Sequence, residues 1–122
     1  MNSLLKQILD HEGVASIVTH NNCVPLVTAT WNSYIEMEAG EKLLIPAGGL
    51  SHTEKNILID NKIFMLIGSK SVQGRKSMGT GVRLSGKAEF VYAGPLYDKV
   101  KKRFSWARAV LVFSIEKTEQ LL

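Results

Sequence analysis

The first half of the chain sets its β-rich runs so close together that they can pair only antiparallel. Val14 to His20 is the first run. Asn21-Asn22 is a turn signal, and Pro25 delays the return strand, which reads from Leu26 to Glu38, long enough to bend. Gly40 turns the chain into a third run, Glu41 to Pro46. Links this short admit hairpins and exclude the long crossovers that parallel strands need.

The remaining elements fit around that meander. Ser3 to Glu12 reads as a short amphipathic helix, with Leu4, Leu5, Ile8 and Leu9 on one face, Ser3 as N-cap and Gly13 as stop. A second helix opens at Ser51 and closes at Asn61, with Ser51 and Glu54 spaced as a capping box. Ile63 to Ser69 is apolar throughout, which predicts a strand buried on both faces. Lys70 to Met78 reads as a polar loop, and Val82 to Tyr92 as a long strand in which Gly86 marks a bulge or bend. Gly94-Pro95 starts a third helix, whose apolar side is Leu96, Val100 and Phe104. Ala109 to Glu116 is the last strand. The expected fold is therefore mainly β: a six-stranded antiparallel β-barrel with peripheral helices. At 122 residues a single domain spanning 1-122 is the default.

The stretch from Thr28 to Asn56 carries the chemistry. Trp31 and Tyr34 can each lie against a flat ring. On a regular strand they point to opposite faces, so both serve one ring only if the chain bends between them. Trp31 can equally be core or interface filler. A short strand ends in Pro46-Ala47, and Gly48-Gly49 then feeds the helix that opens Ser51-His52-Thr53. A glycine turn into a helix start leaves backbone N–H groups free and favours anions. Ser51 and Thr53 add hydroxyls, and His52 and Lys55 can add positive charge. The combination is either an ordinary capped helix after a loop or a phosphate cradle beside an aromatic platform, which suits flavin mononucleotide (FMN). Lys70, Arg75 and Lys76 can contribute charge from the neighbouring loop. Trp106 is a helix-end packing residue or a second aromatic wall.

Other functions find no support. His11, His20 and His52 lack metal-ligand spacing, and there is no Gly-x-Ser-x-Gly elbow, no Walker loop and no dinucleotide fingerprint. A net charge of +4 fits an anionic ligand, but without a basic stripe it does not indicate nucleic acid. Lys99, Lys101, Lys102 and Arg103 read as the wet face of the third helix. Cys23 stands alone, which excludes an internal disulfide and favours a reducing, cytoplasmic setting. The first residues do not read as a signal peptide, and no run reaches membrane-spanning length.

Several short motifs together make the chain resemble the small FMN-binding proteins of the pyridoxamine 5'-phosphate oxidase-like, split-barrel superfamily. They are Asp10-His-Glu-Gly13, Thr30-Trp-Asn-Ser-Tyr34, Pro46-Ala-Gly-Gly49, Thr53-Glu54 with Asn56, Gly68-Ser69, Gly79-Thr-Gly81, Phe104-x-Trp-Ala-Arg-Ala109 and Glu119-Gln-x-Leu122. The resemblance implies a homodimeric split barrel with non-covalent FMN at the dimer interface. It implies that Thr30, Trp31 and Asn32 line the ring and ribityl chain. Ala47 belongs to the strand end leading into the cradle, and Gly48, Gly49, Ser51, His52 and Thr53 would hold the phosphate. Lys70 and the Gly79-Thr80-Gly81 turn would lie along the flavin edge. Trp106 and Leu122 would come from a second copy, with Tyr34 and Glu12 near the ring. The relatives usually have Lys or Arg before the helix Thr, where this chain has His52. FMN affinity is therefore expected to weaken as pH rises past about 7. The expected function is a small electron-transfer flavoprotein with an unidentified redox partner. The alternatives are a flavin reductase or oxidase using NAD(P)H, and a split-barrel module for haem or another ligand.

Overall fold

The computed structural model describes residues 2–122. Its order is α1 (Asn2–Leu9), β1 (Val14–Asn21), β2 (Val24–Trp31), a 3-10 turn (Asn32–Tyr34), β3 (Glu36–Glu38) and β4 (Lys42–Ala47). Then follow α2 (Ser51–Ile59), β5 (Lys62–Gln73), β6 (Met78–Val91), α3 (Pro95–Arg103) and β7 (Ala109–Gln120). The strands form one antiparallel sheet in the order β2-β1-β5-β6-β7-β4-β3.

The sheet has seven strands, not six. The run from Leu26 to Glu38 is interrupted at Asn32, where the chain leaves β2 and re-enters the sheet as β3. Those two strands are consecutive in sequence yet lie at opposite ends of the sheet. The expected three-strand meander is therefore two hairpins, β1-β2 and β3-β4, and the 3-10 turn bridges the seam of the barrel. The β1-β2 hairpin closes on Asn22 and Cys23, both left-handed at φ 50 and 65, as a two-residue turn of this twist needs.

Three local expectations change for physical reasons. The segment 70–78 is mostly strand, because β5 and β6 keep pairing out to Gln73 opposite Met78, leaving only a four-residue tip. The strand β5 is buried on one face only: Ile63, Met65 and Ile67 are in the core, whereas Leu66 is 45% exposed on the outer face. The capping box does not form, since the helix is preceded by Leu50 in the left-handed region and Ser51 lies inside its first turn. Gly86 does sit at a register shift, where a Cβ would come within 2.0 Å of the Ser114 carbonyl oxygen.

The larger core fills the barrel with Ile17, Leu43, Ile45, Met65, Leu84 and Phe113, closed at one end by Leu5 and Ile8 of α1. A second cluster puts Val100 of α3 against Leu44, Val110 and Val112, with Leu96 and Phe104 beside it. Part of the basic face of α3 is not free. Lys99 pairs with Glu38 at 2.8 Å and Glu36 at 3.4 Å, and Lys101 donates to the Ala107 carbonyl at 2.7 Å. No helix among the described residues is long and apolar enough to cross a membrane.

Candidate functional site

Side chains alternate along β1, β2 and β5, so Ala15, Ile17 and Met65 go inward while Val14, Ser16, Val27, Ala29, Trp31 and Leu66 face out. Cross-strand register gathers the outward set, with Val14 opposite Trp31 and Ser16 opposite both Ala29 and Leu66. Two cavities open on this side and meet at Val14.

The first cavity, of about 340 Å3, lies where the end of β2 approaches the loop after β4. Thr30, Trp31, Tyr34, Gly48, Gly49 and Trp106 line it. The bend that would let Trp31 and Tyr34 serve one ring is present as the 3-10 turn. Tyr34, Phe104 and Trp106 form a tilted cluster with ring centroids 5.0 to 5.6 Å apart. Trp106 lies so close to Gly48 that a Cβ there would approach its ring at 3.0 Å, which explains a glycine at this position. Trp31 and Trp106 are each about half exposed, at 47% and 49%.

Beyond Gly49, Leu50 holds φ 61 and ψ 32, a conformation that L side chains adopt at a cost of roughly 1–3 kcal/mol. No side chain caps α2, and its first bond runs from the Glu54 amide to the Leu50 carbonyl. Among the described residues, the N–H groups of Ser51, His52 and Thr53 are left for an outside acceptor. They border a depression shared with Leu26, Val27 and Thr28, which joins the first cavity at Leu50. Ser51 and His52 are exposed, Thr53 is buried, and His52 also borders a hollow with Lys55 and Asn56.

Two sets of bonds fix this frame. Arg108 donates to the Gly49 carbonyl at 2.6 Å and to Glu54 at 2.9 Å, while its own amide donates to the carbonyl of buried Ala47. The Tyr92 hydroxyl donates to the other oxygen of Glu54. Tyr92, followed by Arg108, holds the Glu54 carboxyl below the usual carboxylate range. Asn32 is fully buried, and its side-chain oxygen Oδ1 has no hydrogen-bond partner among the described residues. Its amide Nδ2 donates to the carbonyls of His11 at 3.1 Å and Gly68 at 3.2 Å, and its backbone N–H donates to Gly13 at 2.8 Å.

The second cavity, of about 930 Å3, spreads over the outer face of β5 and β6. Glu12, Gly68, Lys70, Thr80, Gly81 and Leu122 are among its lining. Gly68 and Gly81 face each other across the strands, so the floor between them is bare backbone. Glu12 takes hydrogen bonds from the Ser33 hydroxyl at 2.6 Å and the Ser33 amide at 3.0 Å, which keep its carboxyl ionised below the usual range.

Most of the sequence-derived residues thus fall into three joined depressions: Thr30, Trp31, Tyr34, Gly48, Gly49 and Trp106 in one, Ser51, His52 and Thr53 in the next, Lys70, Thr80, Gly81 and Leu122 in the last, whereas Asn32 and Ala47 are buried and line none of the three. Val14, Leu50 and Arg108 were not among them. The β1-β2 register marks Val14 as the neighbour of Trp31, whereas the backbone of Leu50 and the reach of Arg108 to Gly49 have no local signal. Among the described residues no group of three or more His, Cys, Asp or Glu side chains could hold a metal ion.

Comparison with known proteins gives a consistent set of relatives. Residues 1–121 match the pyridoxamine 5'-phosphate oxidase family model. The chain is 39% identical over 116 residues to an FMN-binding protein of Nitratidesulfovibrio vulgaris (strain DSM 19637 / Miyazaki F), covering 95% of this chain and 94% of that one. Among solved structures, Group A Streptococcus HupZ superposes with a TM-score of 0.79 at 18% identity, over 99% of this chain and 93% of that one. An FMN-binding protein from Syntrophomonas wolfei subsp. wolfei superposes with a TM-score of 0.74 at 19% identity, over 99% and 88%.

Proposed function

Because the chain belongs to the pyridoxamine 5'-phosphate oxidase family, we propose that it is a flavoprotein that binds FMN non-covalently and acts in electron transfer. The observation that carries this reading is the uncapped start of α2 directly beside the Trp31 cavity. The N–H groups of Ser51, His52 and Thr53 suit a phosphate, and the hydroxyls of Ser51 and Thr53 match its oxygens. Trp31 and Tyr34 offer the apolar faces that an isoalloxazine ring needs. FMN, when bound, supplies reversible one- or two-electron chemistry. The protein's part is to position the cofactor and set its surroundings. Glu12 supplies a fixed negative charge at the edge of the larger cavity, and Lys70 a positive one.

The first cavity is lined by no carboxylate, imidazole or amine. That supports an electron carrier over an enzyme with its own general acid or base. The larger cavity leaves room for a small-molecule electron donor, so a reductase or oxidase using NAD(P)H is the second reading. The outer sheet face supports a homodimer. The edge strand β2 presents Val27 and Trp31, and β1 and β5 add Val14 and Leu66, all exposed. A second copy would cover this apolar face and the open side of both cavities together.

An absorbance spectrum of the freshly purified protein, with the released cofactor weighed by mass spectrometry, tests the reading. A flavin spectrum and equimolar FMN support it. A colourless protein that takes up no added FMN overturns it. Rapid bleaching by NADH or NADPH without oxygen would favour the reductase over the carrier.

A further inference from the structure

We propose that Arg75 is a positioning residue that holds the chain's last three residues as a wall of the flavin site; this rests on the FMN reading above. Strand pairing ends at Gln120, which pairs with Val82, and past it one backbone bond from Leu121 still reaches β6. Yet Leu121 and Leu122 both line the larger cavity although they are 38% and 67% exposed. Two exposed leucines do not hold one place by packing alone.

The tip of the β5-β6 hairpin supplies the missing bonds. The Arg75 amide donates to the Leu122 carbonyl at 2.9 Å, and its guanidinium donates to the Gln120 carbonyl at 3.1 Å. From the other side, the Leu121 amide donates to the Gly81 carbonyl at 2.9 Å and Gln120 Nε2 donates to Thr80 Oγ1 at 3.2 Å. The tip itself is tight. The Gly74 amide donates to Ser77 at 2.8 Å, and a Cβ on Gly74 would come within 2.4 Å of the Gly79 carbonyl and 3.0 Å of the Leu122 carbonyl. Only a glycine before Arg75 lets the two segments come this close.

Arg75 is exposed and forms no ion pair among the described residues. Its guanidinium is therefore engaged by the tail, not by a carboxylate. A further cavity, of about 370 Å3, adjoins the same wall, between Arg75, Lys76 and the two leucines. The wall borders both cavities, so its position depends on the clasp.

The test compares FMN release from the wild type, Arg75→Ala, Leu122→Ala and the double variant, followed by recovery of flavin fluorescence. Arg75→Ala should release FMN about five-fold faster, the scale of one ordinary solvent-exposed hydrogen bond, with the melting temperature of the apoprotein unchanged. Arg75→Lys, which keeps a charged donor group, should restore most of the loss. In the Leu122→Ala background, Arg75→Ala should add nothing further. Release from Arg75→Ala at the wild-type rate, or additive effects in the double variant, would overturn the clasp. A wild type that binds no FMN would overturn the cofactor reading and the clasp with it.

Discussion

Asn32 and Arg75 stand on opposite flanks of the same groove and are held in contrasting ways. Asn32 is fully buried and ties His11, Gly13 and Gly68 together through three donated bonds. Arg75 is exposed and reaches across solvent to a chain segment outside the sheet. A buried donor leaves its acceptors unpaired when it is lost, while water replaces an exposed one at little cost. The flank around Trp31 is therefore built to stay in place, and the flank around Leu122 to give way. On the FMN reading, stiffness on one side would set how the cofactor is held, and compliance on the other how readily it leaves.

The contrast is easiest to break at Asn32. Asn32→Ala strands the His11 and Gly68 carbonyls and should cost about 2–3 kcal/mol, read as a drop of roughly 10 °C in thermal melting. An unshifted melting curve would remove the rigid flank from the comparison. A smaller effect is expected at the Glu54–Arg108 latch. Glu54→Gln should weaken FMN about three-fold in a titration, because an exposed ion pair of this kind contributes little on its own. The same latch has a pH signature. The folded pKa of Glu54 lies below its unfolded value, so its contribution is present above the unfolded pKa and disappears as pH falls through the folded one. Acid titration of the wild type should thus show a step in stability below the ordinary carboxylate range that Glu54→Gln lacks. The smallest change is His52→Lys, which puts a fixed positive charge at the start of α2 and should tighten FMN by about two-fold in a titration. An unchanged affinity would remove position 52 from the phosphate site.

Much of the frame was legible because it depends on local chemistry. Gly86 announced its bulge, Pro95 its helix, and the Trp31–Tyr34 spacing stated the condition, a bend, that the 3-10 turn meets. The failures have other causes. Asn32-Ser33 is a weak turn signal inside the otherwise strand-forming run Leu26 to Glu38, and only the long-range bonds of Asn32 to His11 and Gly68 make it an exit from the sheet. Ser51 and Glu54 have the spacing of a cap, but Glu54 is claimed by Arg108 and Tyr92, which arrive from distant strands. The exposure of Leu66 reflects the side of the sheet it faces, which its apolar neighbours hide. The first two misses are long-range partners outbidding a local preference.

The bridge between β2 and β3 has one more consequence. A barrel whose two terminal strands adjoin in sequence carries its seam within a few residues, and the first cavity lies against that seam. A ligand lodged there touches β2 on one side and the loop after β4 on the other, and so works as a rivet. Its binding free energy then adds to the cohesion of the whole barrel by mass action, and the resistance of this protein to unfolding becomes a reading of how much cofactor surrounds it.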